Sequence, residues 1–464
     1  MRHVVIVGNG MAGARLAEQL RAREPRPDLL RVTVFGAELD PAYNRVLLGG
    51  VLAGTLRPAE TRLYPPDWYR GRHVTVHRGQ RAVAVAPGTV TLAGGYRVAA
   101  DAVVLATGSR ARIPAVPGLS GPGVVPLRTL ADCRRIVAGL GTGPVAVLGG
   151  GVLGLEAARA LAARGAAVTV LHPAPYLMNR QLDAAAGAVL ADAVRRLGVR
   201  LRLGARAVRY ERGRGLRTDT GELVPCGSVV VAAGAVPDVT LARRAGLAVD
   251  GGVCVDDRLG TSVPGIHAIG DCAAHPGAVG GFVQPAYEQA TVLADLLTGA
   301  DPGARYRGTG PVVRLKDTAI DLATIGVPDA AGDEVVCVSD PARGRYARLV
   351  VRADRVAGAV LLGVPDAAAT LTRLYDTAAP LPLDRLAVLL GRAYPTAPDG
   401  TDGLVCRCNT VGTADLVAAY RAGATDLRSL AAATRATTGC GGCTGSVAGL
   451  LARLADTPTE EVVA

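Results

Sequence analysis

The sequence predicts an α/β chain: two Rossmann-like dinucleotide-binding domains, then a small antiparallel domain and a small helical segment carrying four cysteines. Three observations predict it. Two glycine fingerprints each stand between an apolar strand and a helical pattern. Short apolar runs alternate with turns between residues 311 and 363. Near the C-terminal end, a C-x-C and a C-x2-C lie 31 residues apart.

The first fingerprint follows the run His3-Val4-Val5-Ile6-Val7, whose β-branched residues read as a buried parallel strand. Gly8-Asn9-Gly10-Met11-Ala12-Gly13 comes next, then a helical pattern through Leu16, Ala17 and Leu20, then the strand Val32–Phe35 and Glu38. In this pattern the first glycine makes a tight turn, the second admits a pyrophosphate, and the third lets helix and strand pack closely. The helix N-terminus then offers its free N–H groups to the phosphates. The second copy is Gly149-Gly150-Gly151-Val152-Leu153-Gly154, after the strand Val145–Leu148 and before the strand Ala167–Leu171. Two copies in full context imply two nucleotide cofactors. Glu38 is placed to accept from a ribose hydroxyl at the first site. At the second, the comparable place, 18 residues past Gly154, holds His172, so neither NADH nor NADPH is selected by a carboxylate or an adjacent arginine, and the reading leans to NADH.

Length and composition agree. The chain has 464 residues, and at ~150 per domain this suits about three domains. Hydrophobic residues make 49% and charged residues 20%, a globular composition. Aromatics at 3% argue against a stacking platform for single-stranded nucleic acid. The 60 Gly and 29 Pro follow no fixed period, which excludes collagen. The net charge is +11, carried by arginine everywhere except Lys316; the nine arginines from Arg195 to Arg217 read as a solvated face, with an anionic docking surface or 2′-phosphate contact as the alternative. The N-terminal strand reaches glycine too soon for a signal peptide, and no apolar run approaches ~20 residues, so a cytoplasmic protein without a membrane or nucleic-acid partner is expected.

Two further segments accompany the fingerprints. Val103–Ser109 leads through Thr107-Gly108 into a Pro/Gly crossover, and Thr261–Asp271 carries T-x6-A-x-G-D, which sets Asp271 at a strand end where it can hydrogen-bond a flavin ribityl chain. Together these motifs, spanning residue 1 to ~290, resemble the pyridine nucleotide–disulfide oxidoreductase superfamily. The resemblance implies FAD on Gly8, Gly10, Met11, Ala12, Gly13, Glu38, Arg45, Thr107, Gly108 and Asp271. It implies the nicotinamide cofactor, NADH or NADPH, on Gly149, Gly151, Val152, Leu153, Gly154 and Glu156. It also implies that the NAD domain is inserted into the FAD domain: 1–118 and 237–305 for FAD, 119–236 for NAD(P), with an interface domain at 306–390, a linker at 391–403 and a cluster domain at 404–455.

No C-x4-C stands near the first helix and no C-x-x-C in the second domain, so electrons do not pass to an internal disulfide of those types. In that region the chain reads Pro41-Ala42-Tyr43-Asn44-Arg45-Val46-Leu47-Leu48 instead. This segment resembles the flavin domains of NAD(P)H nitrite reductase large subunits and of assimilatory nitrate reductase electron-transfer subunits, with Gly49 where relatives often have Ser. By that resemblance Arg45 lies near the flavin, and Glu156 serves at the hydride-transfer face. A carboxylate there is also favoured by the helix dipole alone. Relatives pair this Glu with a Lys; Lys316 is far along the sequence, so Arg45 is the expected partner. The helix beginning near Pro285 points its N-terminus at the flavin in relatives, with Tyr287 either there or in packing.

Cys406, Cys408, Cys440 and Cys443 read as a metal site. Four thiolates also suit zinc. Hydride transfer delivers electrons in pairs, however, and a one-electron carrier on the same chain completes the logic of a flavin, whereas zinc has no redox chemistry. The segment also resembles the bacterioferritin-associated-ferredoxin-like [2Fe-2S] domain, with a helical stretch from Ala414 to Ala432. No further cysteine set follows Cys443, so the expectation is an electron-input enzyme, not nitrite reduction on this polypeptide. The resemblance to assimilatory nitrate reductase electron-transfer subunits implies a molybdenum nitrate reductase subunit as the acceptor. A rubredoxin or ferredoxin reductase is the alternative, and a redox-sensing metal-binding scaffold with degenerate nucleotide sites is the non-enzyme reading.

Overall fold

The computed structural model describes residues 1–464 except 142, 277–279, 317–319, 328–332, 393–402, 408, 440 and 457–464. It divides into two compact units, residues 1–114, 126–138 and 233–310 in one, and 115–125, 139–232 and 311–464 in the other.

The first unit is organised on a five-stranded parallel sheet ordered Ile266–Ala268, Ala102–Leu105, Arg2–Val7, Leu30–Gly36, Val74–Arg78. Arg2–Val7 is central, and Val4, Val5 and Ile6 are fully buried, which is why the run carries no polar alternation. The helices Met11–Arg23 and Val283–Thr298 pack together and bury Leu16, Ala17 and Leu20 with Ala290, Leu293 and Ala294 in the same core. A three-stranded antiparallel flap, Ala82–Ala86, Thr89–Leu92 and Arg97–Ala99, belongs to this unit.

The second unit repeats the pattern: Arg200–Leu203, Val168–His172, Val145–Leu148, Ser228–Val231 and Val124–Pro126 form a sheet, with the helices Val152–Ala163 and Ala184–Arg196 following their strands. A separate antiparallel sheet follows, ordered Val312–Lys316, Asp321–Gly326, Arg355–Leu362, Arg345–Arg352, Glu334–Asp340. Sequence alternation found four of these strands; Asp321–Gly326 was missed, as was the helix Pro365–Asp376, which covers one face of the sheet with Ala367, Ala368 and Leu371. Its neighbour Val312–Lys316 packs on the Val152–Ala163 helix.

The C-terminal segment folds into short helices, Thr413–Arg421, Leu427–Thr434 and Thr444–Asp456, around Leu416, Leu430 and Val447. The helical stretch expected from Ala414 to Ala432 is present as two helices. Gly423, at φ +102°, breaks it, and Asp426 caps the second helix by accepting from the N–H groups of Arg428 and Ser429 at 2.8 Å each. The expected linker at 391–403 falls largely on residues outside the described set.

Candidate active site

The first fingerprint shows why each glycine is glycine. Gly8 has φ +126°, and a Cβ on it would stand 2.0 Å from the Ala106 carbonyl oxygen. A Cβ on Gly13 would stand 2.0 Å from the Gly8 carbonyl oxygen, so helix and strand meet there backbone to backbone. Gly10 differs: nothing lies within 4 Å of where its Cβ would be. The second copy behaves alike: Gly149 has φ +120°, a Cβ on Gly154 would stand 2.0 Å from the Gly149 carbonyl oxygen, and nothing lies within 4 Å of where a Cβ on Gly151 would be. Neither following helix has a side-chain cap at its N-terminus. Open room at the middle glycine beside uncapped N–H donors is the cradle a pyrophosphate fills.

Glu38 lies just beyond the strand Leu30–Gly36. Its carboxylate accepts from the Tyr43 hydroxyl at 2.7 Å and from the Arg45 guanidinium. Arg45 opens a short helical turn capped by Asn44, whose side chain accepts from the Val46 N–H at 3.0 Å. Arg45 lies over the Tyr43 ring and also donates to the Arg128 carbonyl oxygen at 2.9 Å. Burial and the neighbouring Glu38 carboxylate push the Tyr43 hydroxyl well above its usual pKa, so it stays a donor. The Thr107 hydroxyl donates to the Asp238 carbonyl at 2.7 Å and the Asp238 N–H to the Gly108 carbonyl at 2.9 Å, which ties the crossover after Leu105 to the returning chain.

Asp271 sits in a helical turn directly after the strand Ile266–Ala268. Its carboxylate accepts from Ser109 Oγ at 2.8 Å and from Arg128 Nη2 at 2.5 Å. Arg128 and Ser109 were missed from sequence. The signal existed: Thr129 and Asp132 form a reciprocal capping pair, with the Thr129 N–H to the Asp132 carboxylate at 2.9 Å and the Asp132 N–H to Thr129 Oγ1 at 3.1 Å. That pair fixes the start of the Leu130–Ala138 helix and so places Arg128. The structure thus brings Glu38, Arg45, Arg128 and Asp271 into one relay of charge. Tyr287 is fully buried, with the Arg15 guanidinium over its ring, so it packs.

Glu156 is half-buried on the Val152–Ala163 helix, in the second unit, while Arg45 is in the first. Lys316 ends the strand that packs on the Glu156 helix. His172 turns inward: its Nδ1 accepts the Gly150 N–H at 3.1 Å and its Nε2 is 3.1 Å from Asn179 Oδ1. The isolated cysteines Cys133 and Cys226 are buried, and burial pushes their thiols up to about 12 and about 11, which makes them inert. Of the arginine-rich stretch, Arg195 pairs with Asp192, Arg202 with Glu222, and Arg214 and Arg217 with Glu211.

In the cysteine segment, Cys406 and Cys443 are buried in one small core, and Cys443 Sγ accepts the Thr437 N–H at 3.3 Å. The Asn409 amide donates to the Arg435 carbonyl at 2.6 Å and bonds Thr438 Oγ1 at 3.2 Å, closing the two cysteine-bearing loops on each other. Cys408 and Cys440 lie outside the described residues. Two buried thiols with a backbone N–H on sulfur fit an iron–sulfur cluster, whose sulfurs take such hydrogen bonds.

Residues 2–292 match the family model for pyridine nucleotide-disulphide oxidoreductases. The chain belongs to that family. Residues 404–453 match the BFD-like [2Fe-2S] binding domain, and 311–376 the rubredoxin NAD+ reductase C-terminal domain. Among curated relatives, nitrite reductase [NAD(P)H] of Bacillus subtilis is 33% identical over 95% of this chain and 56% of its own length. The assimilatory nitrate reductase electron transfer subunit of the same organism is 30% identical over 97% of this chain and 59% of its own. The chain thus spans little more than half the length of either. The structure of the covalent putidaredoxin reductase–putidaredoxin complex superimposes with a TM-score of 0.73 at 26% identity, covering 81% of this chain and 93% of that one. As a member of the family this chain is an FAD- and NAD(P)H-binding oxidoreductase that also carries a [2Fe-2S] module. Among its described residues no helix is long and apolar enough to cross a membrane.

Proposed function

We propose that this oxidoreductase is the electron-input part of an assimilatory nitrate-reducing system, delivering electrons to a molybdenum-containing catalytic subunit. The observation that carries the reading is a BFD-like [2Fe-2S] module on the same chain as the flavin and nicotinamide fingerprints, an arrangement matched along 97% of this chain by a relative named for that role. When bound, FAD accepts electrons in pairs from NAD(P)H and the cluster passes them on singly.

The chain's own residues do the rest. Gly10 and Gly151 give the two pyrophosphates access, and the N–H groups of Met11, Ala12, Gly13, Val152, Leu153 and Gly154 offer donors in the first turns that follow. Glu38, held by Tyr43 and Arg45, presents a fixed carboxylate to the adenosine ribose of FAD. Asp271, held by Ser109 and Arg128, presents another to the ribityl chain. Thr107 and Gly108 hold the crossover beside it. Arg45 keeps positive charge where a reduced ring carries negative charge. Glu156 orients the nicotinamide at the hydride-transfer face. Cys406, Cys408, Cys440 and Cys443 ligate the cluster. The reading places the enzyme in the cytoplasm, where NAD(P)H is supplied and thiols stay reduced.

A second reading is a reductase for a ferredoxin or rubredoxin. It is favoured by the match of residues 311–376 to the rubredoxin reductase C-terminal domain. Anaerobic titration with NADH and NADPH tests both, followed optically and by EPR. Flavin bleaching with a reduced [2Fe-2S] signal is expected. Turnover only with a molybdenum nitrate reductase subunit supports the first reading; rapid reduction of a generic ferredoxin supports the second.

A further inference from the structure

The segment holding the cysteines meets the antiparallel sheet and the helix that covers it at two places in the same unit. Arg407, between Cys406 and Cys408, forms an ion pair with Asp376 at the end of the Pro365–Asp376 helix; the two side chains keep only 14% and 26% of their exposure. The second place is Arg314, on the strand Val312–Lys316. A Cβ built on Gly442 would stand 2.7 Å from Arg314 Cδ, 2.8 Å from Nε and 3.1 Å from Cζ. The arginine therefore lies on the Gly441–Gly442 turn that immediately precedes Cys443. The turn has no side chain to lift it away, and Gly441, at φ +74°, takes a backbone conformation that glycine adopts without strain.

We propose that the cysteine module docks on the antiparallel sheet through these two arginines, and that Arg314 is a positioning residue that sets the cluster's reduction potential. The inference rests on the [2Fe-2S] reading of the module. Reduction adds one electron to the cluster and makes its net charge more negative by one. A guanidinium lying on the ligand turn, in a partly dehydrated contact, stabilises that added charge and raises the potential. It also offers the turn a donor-rich plane that water would otherwise cover. The ion pair between Arg407 and Asp376 holds the module in the position that brings Gly442 to Arg314. Docking rather than tethered diffusion then defines where electrons leave the chain, because a docked cluster presents one face to its acceptor.

The experiment is an EPR-monitored redox titration of the anaerobically loaded full chain, with iron and sulfide assayed first. Arg314→Gln lowers the cluster midpoint, and Arg314→Lys, which keeps the charge, recovers most of the shift. In an Asp376→Asn background the Arg314→Gln shift shrinks severalfold, because the module no longer sits on Arg314. Equal midpoints in wild type and Arg314→Gln with full cluster occupancy overturn the proposal, as do shifts that simply add in the double variant. Absence of iron and sulfide from every preparation sinks the cluster reading and this proposal together; a loaded cluster with equal midpoints sinks only this one.

Discussion

His172 Nδ1 accepts the N–H of Gly150 at 3.1 Å, so a histidine occupies the strand end and holds the second fingerprint loop from beneath. A Cβ on Gly150 would meet this ring at 2.8 Å, and the Met178 N–H returns to the Gly150 carbonyl at 2.9 Å. The acceptor role requires a neutral ring with its proton on Nε2, facing Asn179. Burial lowers the His172 pKa below its ordinary value of 6.5, with Asn179 and the Tyr176 backbone acting the other way. As pH falls below about 6.5, the unfolded chain takes up a proton that the folded ring refuses. Stability is therefore fully present above that pH and falls as pH drops towards the lowered folded value. His3 and His267 are lowered by burial too, so wild type alone does not isolate the effect. His172→Asn keeps an acceptor and does not titrate. Urea unfolding at pH 7.5 and 5.5 is expected to show a smaller acid loss in the variant than in wild type; equal losses contradict the assignment.

The two classes of fingerprint glycine separate experimentally. Gly13→Ala puts a methyl group 2.0 Å from a carbonyl oxygen, so helix and strand must part. An overpacked site of this kind costs ~1–3 kcal/mol, and more where the obstacle is backbone. Gly10→Ala meets nothing within 4 Å. Thermal unfolding of the apoprotein is expected to drop for Gly13→Ala and stay near wild type for Gly10→Ala. FAD affinity is expected to fall in both, measured by flavin fluorescence quenching. A Gly10→Ala protein that binds FAD normally contradicts the cradle.

These glycines were legible because their requirement is local: a tight turn and a close approach over six residues leave a pattern in the sequence itself. The strand–helix order around them is equally local, which made the α/β class readable. Arg128 was not legible as an Asp271 partner. The two are 143 positions apart, and one arginine among so many gives no hint of which carboxylate it will reach. The Thr129–Asp132 capping pair was readable, but it fixes a helix start and not a destination. The Ala414–Ala432 stretch was legible as helical. The break inside it is a local feature, Gly423 at φ +102° followed by the Asp426 cap, which divides the stretch into two helices.

Removing Arg128 leaves Asp271 with Ser109 as its donor among the described residues, and leaves a carboxylate of low exposure without its cation. The reorientation is expected to weaken FAD by about tenfold, ~1.4 kcal/mol, in Arg128→Ala, with a smaller loss in Arg128→Lys. Asp271→Asn keeps the shape but surrenders the charge that Arg128 holds, so the double variant Arg128→Ala/Asp271→Asn loses less than the sum of the two. Equilibrium dialysis of FAD against the four proteins reads this directly, and additive losses argue against the coupling.

Glu156 separates two physical readings of one carboxylate. Glu156 is the fifth residue of the Val152–Ala163 helix, past a first turn that holds no acidic residue, so the helix dipole expected from sequence does not account for it. If it only packs on the helix, Glu156→Gln shifts stability by no more than ~0.5 kcal/mol and leaves chemistry alone. At the hydride-transfer face it orients the nicotinamide, and the isosteric amide lowers the rate of flavin reduction on the order of 10²-fold. The amide fills the same volume on the same helix, so the nucleotide dissociation constant is expected to change little, which distinguishes lost orientation from lost binding. Anaerobic stopped-flow mixing with NADH, followed at the flavin absorbance over a range of NADH concentrations, gives both the limiting rate and the apparent dissociation constant. A limiting rate equal to wild type assigns Glu156 to helix packing alone.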